Sequence, residues 1–197
     1  MYLVFDTETT GKPISYDAPT SDVNNWPRLV QIAWRAFDAR GKRTRVRSFV
    51  VFPDGFEIPD EVVKIHGITT AKAKRVGVSI SEVLKAFAME LKKASVTVAH
   101  NHDFDSRVVG AEFYRLNIKR PFRGKTHVCT MKEATEYCSL PGYYGPKWPK
   151  LTELHFKLFG KTVKETHHAA KDTANCAKCF FELKRRGVIH LARRKRR

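Results

Sequence analysis

The chain has 197 residues, 42% of them hydrophobic, which excludes a disordered chain and favours one domain over two. No apolar run approaches the ~20 residues that span a bilayer, and no basic segment precedes the acidic residues near the N-terminus, which excludes a signal peptide and points to an intracellular setting, cytoplasmic or nuclear. Net charge is +17, from 37 Lys and Arg against 20 Asp and Glu, and it is spread along the chain, so the expected partner is a polyanion such as nucleic acid rather than a membrane.

Residues 2–5 are a short apolar and aromatic run that reads as a buried strand. Residues 29–34 and 46–51 read as two more, with Gly41 and Lys42 as a turn signal between them. Three strands with short links predict an antiparallel meander. Residues 12–27, rich in Pro, Asp, Asn and Ser, form a loop after the first acidic motif and are placed to border a site.

The hydrophobic period then changes. Residues 60–65 predict a short helix ended by Gly67. Ser79 with Glu82 matches a capping box that opens a helix reaching Ala94, with Leu84, Phe87, Ala88 and Leu91 as its apolar stripe. Residues 96–99 predict a strand, and 105–116 a helix with Val109, Phe113 and Leu116 on one side. A short strand at 128–130 and a helix at 132–138 follow. Leu151, Leu154, Leu158 and Phe159 mark a helix stopped by Gly160. Ala170, Ala174, Ala177 and Phe181 mark the last long helix, ending near Gly187. A meander followed by alternating helices and strands implies an α/β fold with a mixed sheet flanked by helices. The domain is expected over residues 1–190, with 191–197 as a basic tail: a nucleic-acid arm, a nuclear-localisation patch or an end without a role.

Cys129, Cys138, Cys176 and Cys179 are expected to be reduced. Cys176 and Cys179 share one helical face, and no second close pair completes a tetrahedral metal site, so they read as core residues.

Three short segments carry the chemistry. Asp6 and Glu8 lie two apart at the end of a strand, so both side chains share a face. Carboxylates that close repel unless they are protonated or bridged by cations, and hard divalent cations prefer oxygen ligands. Asp105 follows the strand at 96–99, at the end of a sheet strand where open α/β sheets place their sites. Asp103 is its local competitor, or a helix cap. Asp172 opens the last helix five residues after His167, which allows the imidazole to hang above the helix while the carboxylate projects inward. Two cations about 4 Å apart can activate water and stabilise a leaving oxygen, and a neutral imidazole can take the proton. Separately, Tyr143, Tyr144 and Trp148 sit among glycines, prolines and lysines at 141–150. They either stack on bases of a single strand or pack onto the fold.

Asp6-x-Glu8 before Thr9-Thr10-Gly11, Ala99-His100-Asn101-x-x-Phe104-Asp105, and His167-x-Ala169-x-x-Asp172 resemble the three motifs of the DnaQ-like 3′–5′ exonucleases, histidine subtype (the DEDDh group). His66-Gly67-Ile68 and residues 27–32 also resemble that family, so the likeness runs from about residue 2 to residue 183. It implies a ribonuclease H-like fold and two Mg²⁺ or Mn²⁺ ions held by Asp6, Glu8, Asp105 and Asp172, with His167 as general base. It also implies that Thr9 lines the pocket for the 3′-terminal nucleotide. Thr7, Asn101 and Trp148 complete the expected substrate-binding set, Asn101 also ordering its own motif. His168 stands beside His167, but the five-residue offset to Asp172 selects His167. The implied reaction releases nucleoside 5′-monophosphates from nucleic acid, DNA rather than RNA, alone or beside a polymerase in proofreading or repair. An exoribonuclease of the same fold and a non-catalytic nucleic-acid-binding module are the rival readings.

Overall fold

The computed structural model describes residues 1–118, 121–164 and 167–191; the expected basic tail at 191–197 lies, after Leu191, outside the described residues. A five-stranded mixed sheet organises the chain. Its strands are β1 (Tyr2–Thr9), β2 (Leu29–Phe37), β3 (Arg43–Val50), β4 (Val96–Ala99) and β5 (Thr126–Cys129), in the order β3-β2-β1-β4-β5. The first three form the antiparallel meander, and β4 and β5 extend it in parallel. β1 is longer than its apolar run. It continues through Asp6 and Glu8 to Thr9 because β2 pairs it along that length, with Asp6 opposite Ala33 and Glu8 opposite Gln31.

The described helices are α1 (Asp60–His66), α2 (Thr70–Val76), α3 (Ile80–Lys93), α4 (His102–Arg115), α5 (Thr130–Glu133), α6 (Thr135–Cys138), α7 (Leu151–Phe159) and α8 (Ala169–Arg185). A hairpin of β6 (Pro141–Gly142) and β7 (Gly145–Pro146) precedes α7. Gly67 and Gly160 end α1 and α7 at φ of 70° and 65°, the left-handed conformation glycine adopts without strain. Successive residues of β1 point to opposite faces, so each face feeds its own core. Leu3 and Phe5 pack with Trp34, Phe87, Val108 and Phe113 on the α3–α4 side. Val4 packs with Val98, Leu154, Cys176, Phe180 and Leu183 on the α7–α8 side.

Several expectations are corrected. α2 has no apolar stripe in its sequence, Thr-Ala-Lys-Ala-Lys-Arg-Val, and was not foreseen; the Thr69 hydroxyl starts it by accepting from Lys72 N at 3.1 Å. The capping box at α3 is half-formed: Ser79 Oγ accepts from Glu82 N, but its hydroxyl donates to Glu82 Oε2 at 2.7 Å, so Glu82 does not reach back to the backbone. α4 starts three residues early, after Asn101 at φ 80°. Asp103 therefore lies inside the first turn, ion-paired with Lys132, and is not the cap. The single helix at 132–138 is two separate turns, α5 and α6. α8 buries Ala169, Thr173, Cys176, Ala177, Cys179, Phe180 and Leu183; of the expected stripe Ala177 is buried, while Ala170, Ala174 and Phe181 are half-buried at its margin. The loop 12–27 packs on α4 instead, where Arg107 donates to Tyr16 O and Ala18 O. All four cysteines are free, and Cys138, Cys176 and Cys179 are buried. No described helix is long and apolar enough to cross a membrane.

Glu112 ties the strand meander to α4. Its Oε1 lies 3.0 Å from Leu29 N, Arg28 Nε and Arg115 Nη1, and the side chain is 1% exposed. Removing the buried acid leaves Arg115 and the Leu29 amide without it, so Glu112→Ala should cost about 3 kcal/mol in denaturant unfolding. A loss below about 1 kcal/mol would contradict this role.

Candidate active site

The carboxylates meet where β1 ends beside the start of α8. Asp6 and Glu8 share the α8 face of β1 by strand alternation. Carboxylate oxygens of Asp6, Glu8 and Asp172 all lie within 4.8 Å of one another. Asp172 sits one turn into α8, where the His168 N–H donates to its Oδ2 at 3.0 Å. The first turn of α8 is fastened to β2: Gln31 Oε1 accepts from Ala169 N at 3.3 Å, and Arg35 Nη2 donates to Ala170 O at 3.1 Å. These two polar residues in a buried apolar strand set where Asp172 stands. Neither was singled out from the sequence, although Gln31 and Arg35 inside Leu-Val-Gln-Ile-Ala-Trp-Arg-Ala-Phe are the available signal.

Asp105 reaches the same place from α4, one turn into the helix. The Thr7 amide and the Thr7 hydroxyl both donate to its Oδ1, at 3.0 and 2.8 Å. Both bonds fall on one oxygen, so Oδ2 stays available. Asp105 is outside the tight trio of Asp6, Glu8 and Asp172, yet its charge is felt by Asp6 and Glu8. The Thr7 side chain, expected to bind substrate, is engaged in positioning Asp105.

The crowding shows in the acidities. Burial, then Asp105, Glu8 and Asp172, pushes Asp6 well above the usual carboxylate range. Burial, then Asp172 and Asp105, raises Glu8 to about 8. Burial raises Asp105 to about 7, against the two bonds from Thr7 that favour its ionised form. An all-oxygen donor set that is this unfavourable when ionised fits a hard divalent cation.

A cleft of about 540 Å³ opens above the trio, lined by Asp6, Thr7, Glu8, Asn101, Trp148, His167 and Asp172 among others. His167 is exposed, at φ 39°, and faces this cleft, whereas His168, the residue before α8, is not among its lining residues. Asn101 lines it from its left-handed position. Thr9 does not. A bulge between Glu8 and Thr9 breaks the register there, and the Thr9 hydroxyl donates to Gly11 O at 2.7 Å. None of the loop residues 12–27 lines the cleft either.

His100 holds the far wall. Its Nε2 lies 2.9 Å from Pro149 O and its Nδ1 3.0 Å from Thr130 Oγ1. Burial brings its pKa down to about 4, so the ring is neutral. A carbonyl only accepts, so Nε2 carries the proton and Nδ1 accepts from the Thr130 hydroxyl. The bond fixes Pro149 and, beside it, Trp148, which is 60% exposed. Tyr143 and Tyr144 at the hairpin tip are 92% and 97% exposed, so neither is packed onto the fold.

The fold has known counterparts. The family model described as "Exonuclease" matches residues 3–180. DNA polymerase III subunit epsilon of Treponema pallidum is 31% identical over 179 residues, 91% of this chain and 74% of that protein. Escherichia coli exonuclease I in complex with a dT13 oligonucleotide superposes with a TM-score of 0.73 at 19% identity over 93% of this chain. Its zinc-bound complex with single-stranded DNA superposes with a TM-score of 0.74 at 20% identity over 94% of this chain. This chain spans 40% of the length of each of those two structures. At that identity the structures speak for the ribonuclease H-like fold, and the family match and the epsilon relative speak for descent: the chain belongs to the DnaQ-like 3′–5′ exonuclease family.

Proposed function

We propose that the chain hydrolyses nucleic acid from its 3′ end, DNA in preference to RNA, releasing nucleoside 5′-monophosphates. The observation that carries this is the meeting of Asp6, Glu8 and Asp172 within 4.8 Å in a chain of net charge +17. A molecule that only bound phosphates would gain nothing from gathering acids against its own ligand. DNA is favoured because the epsilon relative is a subunit of a DNA polymerase, and the similar exonuclease I was captured with single-stranded DNA. That relative also supports an intracellular setting and a polymerase as partner.

Asp6, Glu8 and Asp172 would hold one Mg²⁺ or Mn²⁺ ion, and Asp6 with Asp105 a second. When bound, such cations would supply the positive charge that neutralises the acids and favours ionisation of the attacking water. His167, at the cleft and outside the acidic trio, takes the proton of that water. Oxygen attacks phosphorus, the bond to O3′ of the next nucleotide breaks, and that O3′ takes a proton from solvent. Thr7 keeps Asp105 ionisable and aimed, and the His168 N–H aims Asp172. Trp148, held by the His100–Pro149 bond, offers a ring on which a base stacks.

Three results follow. With 5′-labelled single-stranded DNA and Mg²⁺, Asp6→Asn or added EDTA should lower kcat more than about 100-fold, and His167→Ala by about 10²–10⁴-fold. Unchanged turnover in either variant would remove that residue from the mechanism. Trp148→Ala should raise KM for single strands several-fold and leave Mn²⁺ binding intact; an unchanged KM would return Trp148 to a purely structural place. In metal-free protein the folded-state pKa of Glu8, about 8, exceeds its usual 4.5, so the folded state holds its proton more tightly than the unfolded one. Stability present below about pH 4.5 is therefore lost as pH rises through 8. The thermal midpoint should fall over that window, and Mg²⁺ or Mn²⁺ should raise it more at pH 8 than at pH 5. A metal effect that is flat with pH would contradict the carboxylate site.

A further inference from the structure

A second groove, of about 400 Å³, lies between the β2–β3 hairpin and α8, lined by Arg35, Phe37, Gly41, Arg43, Lys178 and Phe181 among others. Arg35 and Phe37 stand two apart on β2 and share its α8 face. A register shift between Ala36 and Phe37 sets Phe37 opposite Arg43, which brings Arg43 to the same groove from β3. The Phe37 and Phe181 rings meet edge to face at 4.9 Å and form an apolar wall.

Among the described residues, no carboxylate lies within ion-pair distance of Arg35, Arg43 or Lys178. The Arg35 guanidinium uses Nη2 on Ala170 O, but its buried Nε has no hydrogen-bond partner. Burial first, and then Arg43, holds the Arg35 pKa below its usual value. Like charges side by side are costly, and an anion in the groove relieves that cost. Guanidinium groups present forked donors matched to phosphate oxygens, and an ammonium adds a point charge. Lys171 and Lys178 are both exposed on α8, seven residues apart, about 10 Å along the axis, so cations lead from beside Asp172 to this groove.

We propose that the Arg35–Arg43–Lys178 groove binds phosphate, supplied by the backbone of a nucleic-acid strand or by free phosphate. The strand source rests on the nucleic-acid reading above; the phosphate chemistry does not. Arg43→Ala with Lys178→Ala is the informative variant, because both side chains are exposed and Arg35 is left to hold Ala170. Binding of a fluorescein-labelled single-stranded 20-mer is followed by anisotropy in EDTA, from 50 to 200 mM salt, so no turnover is needed. The double variant should lower the slope of log K against log salt by about 0.7 to 1.4, one to two phosphate contacts on a single strand. Arg43→Lys with Lys178→Arg should keep the slope. In a second arm, inorganic phosphate should raise the thermal midpoint of the wild type and not of the double variant. A loss in the second arm alone assigns the groove to free phosphate. An unchanged slope together with unchanged phosphate protection overturns the proposal. Failure of the exonuclease reading shows elsewhere, as intact DNA in the presence of Mg²⁺.

Discussion

Repulsion among carboxylates gathered at one end of β1 is the constraint on which the rest of the structure depends. Asp6, Glu8 and Asp172 sit within 4.8 Å, and Asp105 adds its charge from α4. Alone, they would protonate or move apart. The sheet prevents the second outcome. β1 is paired by β2 along its whole length and by β4 over its first half, and its apolar residues are buried on both faces, so Asp6 and Glu8 cannot swing away with the strand. Asp105 is pinned through Thr7, and Asp172 is pinned through the N–H of His168, with Gln31 and Arg35 fastening the turn beneath it. Strain of this kind at one end of a stable sheet is what a cation-dependent hydrolase requires.

The wall opposite the acids follows a different logic. His100 stays neutral because it is buried, and a neutral ring can donate to Pro149 O while accepting from Thr130. That small network carries Trp148 to the cleft and leaves Tyr143 and Tyr144 projecting beyond it. Acids on one side, rings on the other and a surplus of cations over the surface suit a strand whose phosphate end enters and whose bases lie across the rim.

Much of this was legible before any coordinates. Strand alternation placed Asp6 and Glu8 on one face, and the His167–Asp172 offset picked the histidine that faces the cleft. The meander and the helix stops at Gly67 and Gly160 were equally plain. What escaped was tertiary. A bulge after Glu8 breaks the β1–β2 register, and no local pattern announces it. α2 is held by its cap and its neighbours, without the apolar period that would reveal it. On α8 Ala177 of the expected stripe is buried but the others sit at the margin, because alanine reads as apolar on any face, while the sheet also selected Thr173, Cys176 and Phe180. Arg35 lies in no motif, and although Gln31 and His100 fall within segments that resemble the family, nothing local announces that they hold Ala169 and Pro149.

The most direct test of the central claim is a calorimetric titration of Mn²⁺ into the wild type and into Asp6→Asn at pH 7, each in two buffers of different ionisation enthalpy. The account requires binding to the wild type with release of protons, seen as a heat that changes with the buffer, and loss of most of both in the variant. Equal affinity in the two proteins, or binding without proton release, would show that the cluster is not where the metal goes.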